Sequence, residues 1–136
     1  GPDAGVSYEG SLKLKEISYI NSFAIAAGEL THGTIALIEQ DTVVVALATQ
    51  DRLFEKMLSN IQEVKARGAY VIGLAKEGNA DIEKQADKTI YIPQCIDEIT
   101  PLLSVVPLQM LAYYIAKLRG CDIDKPKNLA KSVTVE

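Results

Sequence analysis

Cysteine is scarce in this 136-residue chain: Cys95 and Cys121 are the only two, far apart and without a CxxC pair or histidine partners. That spacing argues against a metal site and leaves two reduced thiols, the state expected in a cytoplasmic protein. A basic excess is missing too. The net charge is −4, with Lys and Arg scattered along the chain, so no nucleic acid and no anionic membrane is expected as a partner. Nothing reads as an 18-residue uncharged apolar run, so neither a transmembrane span nor a signal peptide is expected. The glycine-rich phosphate loops GxGxxG and GxxxxGK[ST] are absent, and no serine- or threonine-rich turn precedes a helix. The residue pattern implies no metal and no cofactor.

What is present is a chain that is 48% hydrophobic and 24% charged, the usual balance of a globular domain. Its length fits one domain, residues 1–136, able to bury about 70% of its unfolded surface. The pattern predicts a loop over 1–5, a helix over 8–19, a short edge strand over 20–27 and a turn over 28–33. The run TVVVALA at 42–48 is almost unbrokenly β-branched, as in a strand covered on both faces of a parallel sheet. Asp51 is placed to cap the next helix, whose apolar positions Leu53, Phe54, Met57, Leu58, Ile61 and Val64 keep helical spacing up to Arg67-Gly68. A strand over 69–75, a short helix over 81–86, a strand over 88–92 and a helix over 101–119 follow, with Pro107 as a kink. Strands alternating with helices give an α/β class with a doubly wound, mostly parallel sheet flanked by helices. Three strong strands are few for such a sheet, which reads as lacking its first strand.

Three features carry chemistry. On the first helix Glu9, Lys13 and Glu16 fall three, four and seven residues apart and line up as a carboxylate–amine–carboxylate strip. Leu12 and Ile17 flank the strip, while Ser11, Lys15 and Ser18 point the other way. The strip is therefore either surface decoration or a pair of acid/base groups set in an apolar arc. His32, the only histidine, sits in GELTHG between two glycines, where it is either a structural residue or a proton carrier. The segment Asn128–Glu136 is rich in apolar residues for a chain end, with Leu129, Ala130, Val133 and Val135. Such a segment is expected to dock, and docking would hold Lys131 where it could act as nucleophile or base. Ala48-Thr49-Gln50 lies at a strand's carboxyl end, where ligands collect in open α/β sheets, but Asp51 repels an anion there.

Taken together, EGSLKLKEISY at 9–19, GELTHG at 28–33, VPLQ at 106–109 and NLAKSVTVE at 128–136 resemble a family of glutamine-dependent amidotransferases, the glucosamine-6-phosphate synthases. The resemblance runs over the whole chain and falls on the second sugar isomerase (SIS) subdomain of that family's carboxyl-terminal half. It implies an SIS-like, flavodoxin-type fold and an enzyme that combines fructose 6-phosphate with ammonia from glutamine to give glucosamine 6-phosphate. By the same resemblance Glu16 matches the carboxylate that moves a proton between C2 and C1, Lys13 the lysine beside it, and Glu9 an acidic residue of the pocket. Lys131 matches the lysine that forms a Schiff base with the sugar, with Ala130 beside it at the substrate. His32 matches the histidine that opens the sugar ring from the neighbouring subunit, which implies a homodimer. Residues 121–136 are then a tail docking at the active site. The expected partners are the first SIS subdomain and the glutaminase domain, without which the chain is expected not to turn over substrate. Two other functions fit the same fold: a non-catalytic phosphosugar-binding module of a regulator, and a phosphosugar isomerase or deglycase that uses no glutamine.

Overall fold

The TVVVALA run pairs as a strand because β-branched side chains fill both faces of a pleated surface. In the structure, a computed structural model that describes residues 2–30 and 33–127, it forms β1 (Val43–Ala48). The other elements are α1 (Pro2–Ser18), α2 (Phe54–Lys65), β2 (Tyr70–Lys76), β3 (Lys88–Ile92) and α3 (Thr100–Leu118). The strands stand in the order β1-β2-β3, all parallel, with Val43 opposite Tyr70 and Ile72 opposite Lys88. This is the three-layer α/β arrangement that the alternation of strands and helices predicts.

Period-two alternation divides the core between the two faces of the sheet. Ala46, Ala48, Val71 and Ala75 pack against Phe54, Leu58, Ile61 and Val64 of α2, together with Ile82 from a 3-10 turn at Ala80–Lys84. Leu47, Leu74 and Ile92 turn to the other face and meet Val6 of α1 and Leu108 of α3. Gly10 sets the approach of those two helices, since a Cβ there would stand 2.8 Å from Leu108 Cδ1.

Several local expectations need correcting. Residues 2–5 are helical instead of looped, because Pro2 suits a first helical turn and the Asp3 side chain is fixed by tertiary hydrogen bonds from Thr49. Residues 20–26 form no strand. Ser22 Oγ donates to the Ser11 carbonyl at 3.0 Å and pairs with Ser11 Oγ at 3.0 Å, which holds the segment on α1 and off the sheet. Asp51 does not cap α2: it opens a 3-10 turn, Asp51–Leu53, and turns its carboxylate to Lys76. The segment Thr100–Leu118 is also long and apolar enough, by length and composition, to cross a membrane, which the sequence reading missed. It runs on through Pro107. Thr100 and Ser104 are buried in it, while Leu102, Val106, Met110 and Leu118 remain exposed.

Gly73 lies in the central strand with space for no side chain: a Cβ would come within 2.6 Å of Ile82 Cδ1 and 3.2 Å of the Ala86 Cβ. Gly73→Ala is therefore expected to push the 80–86 segment off the sheet and to destabilise the domain by about 1–3 kcal/mol. Urea denaturation of the variant and the parent chain measures this.

Candidate active site

The strip on α1 forms as its spacing requires. Lys13 Nζ lies 2.7 Å from Glu16 Oε2 and 3.4 Å from Glu9 Oε1. The hydrogen bond from Lys13 to the Glu16 carboxylate holds the Lys13 pKa above its ordinary value, so this amine stays an ammonium. The strip is not enclosed by an apolar arc in this chain. Side-chain exposure is 40% at Glu9, 31% at Lys13 and 25% at Glu16, and neighbouring Tyr8 and Leu12 are also exposed. The opposite serines are the buried ones. Ser18 donates to the Leu14 carbonyl at 2.6 Å and Ser11 pairs with Ser22, so small, satisfied hydroxyls let α1 lie close to its neighbours.

Tyr19, directly after α1, was not singled out as a site residue by sequence reasoning. Its φ of 57° is a left-handed conformation that glycine or asparagine usually supplies. Its hydroxyl accepts the Lys127 N–H at 2.6 Å, which ties the end of the described chain to the residue that follows α1. Only this bond, between residues 108 apart, carries the signal, and no local pattern encodes it. His32, Ala130 and Lys131 lie outside the described residues. The structure therefore unites Glu9, Lys13 and Glu16.

A second polar cluster fills the carboxyl ends of the strands. Lys76 closes β2 and is fully buried. Its Nζ donates to Asp51 Oδ2 at 2.9 Å, after β1, and to Asp97 Oδ1 at 2.7 Å, after β3. Burial by itself pulls the Lys76 pKa down, but the hydrogen bonds to Asp97 and Asp51 outweigh it and hold the pKa above its ordinary value. Asp97 is held low, chiefly by Lys76. Next to it Thr49 gives its hydroxyl to Asp3 Oδ1 at 2.7 Å and its N–H to Asp3 Oδ2 at 3.4 Å. Burial raises the Asp3 pKa against those bonds. The Gln50 amide reaches Thr100 Oγ1 at 2.5 Å and joins the cluster to α3.

The Ala48-Thr49-Gln50 turn thus meets an anion supplied from within, the Asp3 carboxylate. The bound-anion reading fails for that reason and not because Asp51 caps a helix. The strip lies elsewhere: thirteen residues of helix separate Asp3 from Glu16, about 20 Å along the axis. The acid/base groups do not open onto the carboxyl edge of this sheet.

The model of the SIS domain family matches residues 1–119. Among curated proteins, the chain is 67% identical over all 136 residues to a glutamine–fructose-6-phosphate aminotransferase (isomerizing) of Caldanaerobacter subterraneus subsp. tengcongensis. It spans only 22% of that relative's length. Among solved structures, the carboxyl-terminal domain of glucosamine-fructose-6-phosphate aminotransferase from Francisella tularensis matches with a TM-score of 0.83 and 38% identity, over 90% of this chain and 35% of that one. A glucosamine-6-phosphate deaminase from Thermotoga maritima matches with a TM-score of 0.77 and 31% identity, over 96% of this chain and 37% of that one.

The Lys76 cluster generates a stability test. Removing both carboxylates, Asp51→Asn with Asp97→Asn, leaves a buried ammonium unpaired and is expected to cost about 3–5 kcal/mol; adding Lys76→Met to that pair removes all three charges together and is expected to bring the cost down to about 1 kcal/mol or less. The pH dependence follows from the depressed Asp97 pKa. The unfolded chain takes up that proton first, so Asp97 stabilises the fold above about pH 4 and the contribution is lost as pH falls through its lower folded pKa. Asp97→Asn is expected to flatten this acid limb in denaturation curves taken at several pH values.

Proposed function

This chain belongs to the SIS-domain family, and from that membership we propose that it is the isomerase-side SIS subdomain of a glutamine-dependent, cytoplasmic glucosamine-6-phosphate synthase. The observation that carries the proposal is the 67% identity over every residue of the chain to an isomerizing glutamine–fructose-6-phosphate aminotransferase. The reaction joins ammonia from glutamine to C2 of fructose 6-phosphate, releases the C2 oxygen as water and yields glucosamine 6-phosphate.

In this reading Glu16 is the general base that takes a proton from C1 of the open-chain sugar and returns it at C2. Lys13, kept as an ammonium by Glu16, neutralises charge that develops on the adjacent sugar oxygen. Glu9 holds the far side of that ammonium. Lys131 supplies the amine that condenses with the sugar carbonyl, with Ala130 beside it against the substrate, and His32 opens the ring from the second subunit of a homodimer. The Tyr19–Lys127 bond supports the placement of residues 121–136 as a tail at the site. Lys131 follows Lys127 by four residue steps, a span of at most about 14 Å. The exposed apolar stripe of α3, Leu102, Val106, Met110 and Leu118, suits a surface covered by the first SIS subdomain or by the partner subunit.

A second reading rests on the deaminase neighbour, which is 31% identical: the same proton shift serves an enzyme that uses no glutamine. Glutamine consumption coupled to product formation separates the two.

The test uses the full-length enzyme with glutamine and fructose 6-phosphate. Glu16→Gln is expected to lower kcat by about 10²–10⁴ while glutaminase activity with glutamine alone persists; an unchanged kcat removes Glu16 from the role. The 136-residue chain alone is expected to give no steady-state product. Tyr19→Phe, which deletes the acceptor of the Lys127 N–H, is expected to lower kcat/KM about fivefold, the equivalent of ~1 kcal/mol for one neutral hydrogen bond. Rates at saturating and limiting fructose 6-phosphate measure it.

A further inference from the structure

Residues 19–42 join α1 to β1, and among the described residues of this connection the only regular structure is two 3-10 turns, Ala27–Glu29 and Thr34–Leu37. Helix-to-strand connections usually take about 2–6 residues, and much longer ones are kept where they carry function. His32 belongs to this connection and lies outside the described residues, but the chain on both sides of it is held. Before it, Leu30 packs against the core that α2 builds with the sheet. The Leu30 carbonyl accepts the Ile35 N–H at 3.0 Å, a bond that closes the chain around residues 31–34. After it, Gly33 takes a φ of 109°, open to glycine and hostile to a side chain, and its carbonyl accepts the Ala36 N–H at 3.0 Å.

A turn closed on itself still needs a fixed point on the rest of the domain. At the α1 end that point is supplied by the Ile20 N–H, which donates to the Leu14 carbonyl at 3.3 Å, and by the Ser22–Ser11 pair. Beyond Ser22 one polar tie is left. Asn60 Nδ2, on α2, donates to the Ala27 carbonyl at 3.3 Å. Among the described residues this is the only hydrogen bond between residues 23–37 and another element. Asparagine is a poor helix former, so helix stability does not account for it in the middle of α2. Its neighbour Ile61 and Val64 one turn on are buried in the core, which fixes the backbone that carries the amide. The Ala27 carbonyl can only accept, so it demands a donor at this place.

We propose that Asn60 is a positioning residue: by holding the Ala27 carbonyl it sets where the 27–36 turn stands on α2, and through that turn where His32 is presented. The clamp is read from the geometry alone, whereas its catalytic consequence rests on the role given to His32 above. A proton carrier acts only within about 2.6–3.2 Å of the atom it serves. A turn that drifts by an ångström therefore loses rate while the domain stays folded. Asn60 itself touches no substrate in this scheme and acts only through the turn.

A double-mutant cycle in the full-length enzyme tests this, with Asn60→Ala, Asn60→Asp, His32→Ala and the Asn60→Ala, His32→Ala pair. Asn60→Asp keeps the shape of the side chain but sets an acceptor against the carbonyl. Both Asn60 variants are expected to lower kcat/KM for fructose 6-phosphate about tenfold, with hydrolysis of glutamine alone unchanged. In the His32→Ala background Asn60→Ala is expected to add less than about a further twofold, because the group it positions is gone. Amide exchange read by mass spectrometry over residues 27–38 is expected to quicken about fivefold in Asn60→Ala, the loss of one hydrogen bond. Equal losses with and without His32 overturn the proposal and make Asn60 a residue of the fold in general. Unchanged exchange over 27–38 overturns the clamp. An unimpaired Asn60→Ala beside an impaired His32→Ala overturns the positioning role and leaves the catalytic reading intact, whereas an unimpaired His32→Ala overturns the role of His32 and the positioning with it.

Discussion

Everything at the carboxyl end of the sheet is arranged around one buried ammonium. Lys76 ends the central strand with no access to water, and a charge so placed must find counter-charges within hydrogen-bond reach. Asp51 and Asp97 provide them, one following β1 and the other following β3. The pairing therefore fixes the exits of all three strands together. Gln50 and Thr100 extend the same network to the start of α3, and Thr49 extends it to Asp3 at the start of α1. Two helices of one layer thus take their positions from the strand ends.

This arrangement has a functional consequence. In many open α/β sheets the strand ends are left free for a ligand, whereas here they are spent on internal pairing. Glu16 stands about 20 Å along α1 from the Asp3 anchor, with Lys13 and Glu9 between them. The strip is half-open, with exposed Tyr8 and Leu12 beside it. A partly solvated carboxylate–ammonium pair gains catalytic strength when another surface covers it and removes water.

Much of the fold was legible because it is written in periodicity. The β-branched run at 42–48, the helical spacing from Leu53 to Val64 and the alternation of strands with helices required no long-range information. The strip was legible for the same reason, since Glu9, Lys13 and Glu16 are close in sequence and a helix brings them together by itself. The failures share a cause as well. Asp51 looked like a helix cap, but Lys76 offered its carboxylate a buried charge, a stronger demand than orphan backbone donors. Residues 2–5 looked like a loop because glycine and proline mark loops, but the Asp3–Thr49 bonds draw them into α1. Residues 20–26 looked like an edge strand, but Ser22 within the segment bonds to Ser11 on α1 and holds it there.

The sequence by itself determined the class of fold, the number of strong strands and the carboxylate–amine–carboxylate row, because each depends on neighbours within one or two turns of chain. Tertiary structure alone decided that Lys76 is buried and doubly paired, that Tyr19 receives Lys127 from 108 residues away, and that Thr49 and Asp3 join the end of β1 to the start of α1. Those outcomes depend on which segments meet in space. A hydrogen bond or a buried charge selects its partner by distance and geometry after folding, and neither leaves a periodic trace along the chain.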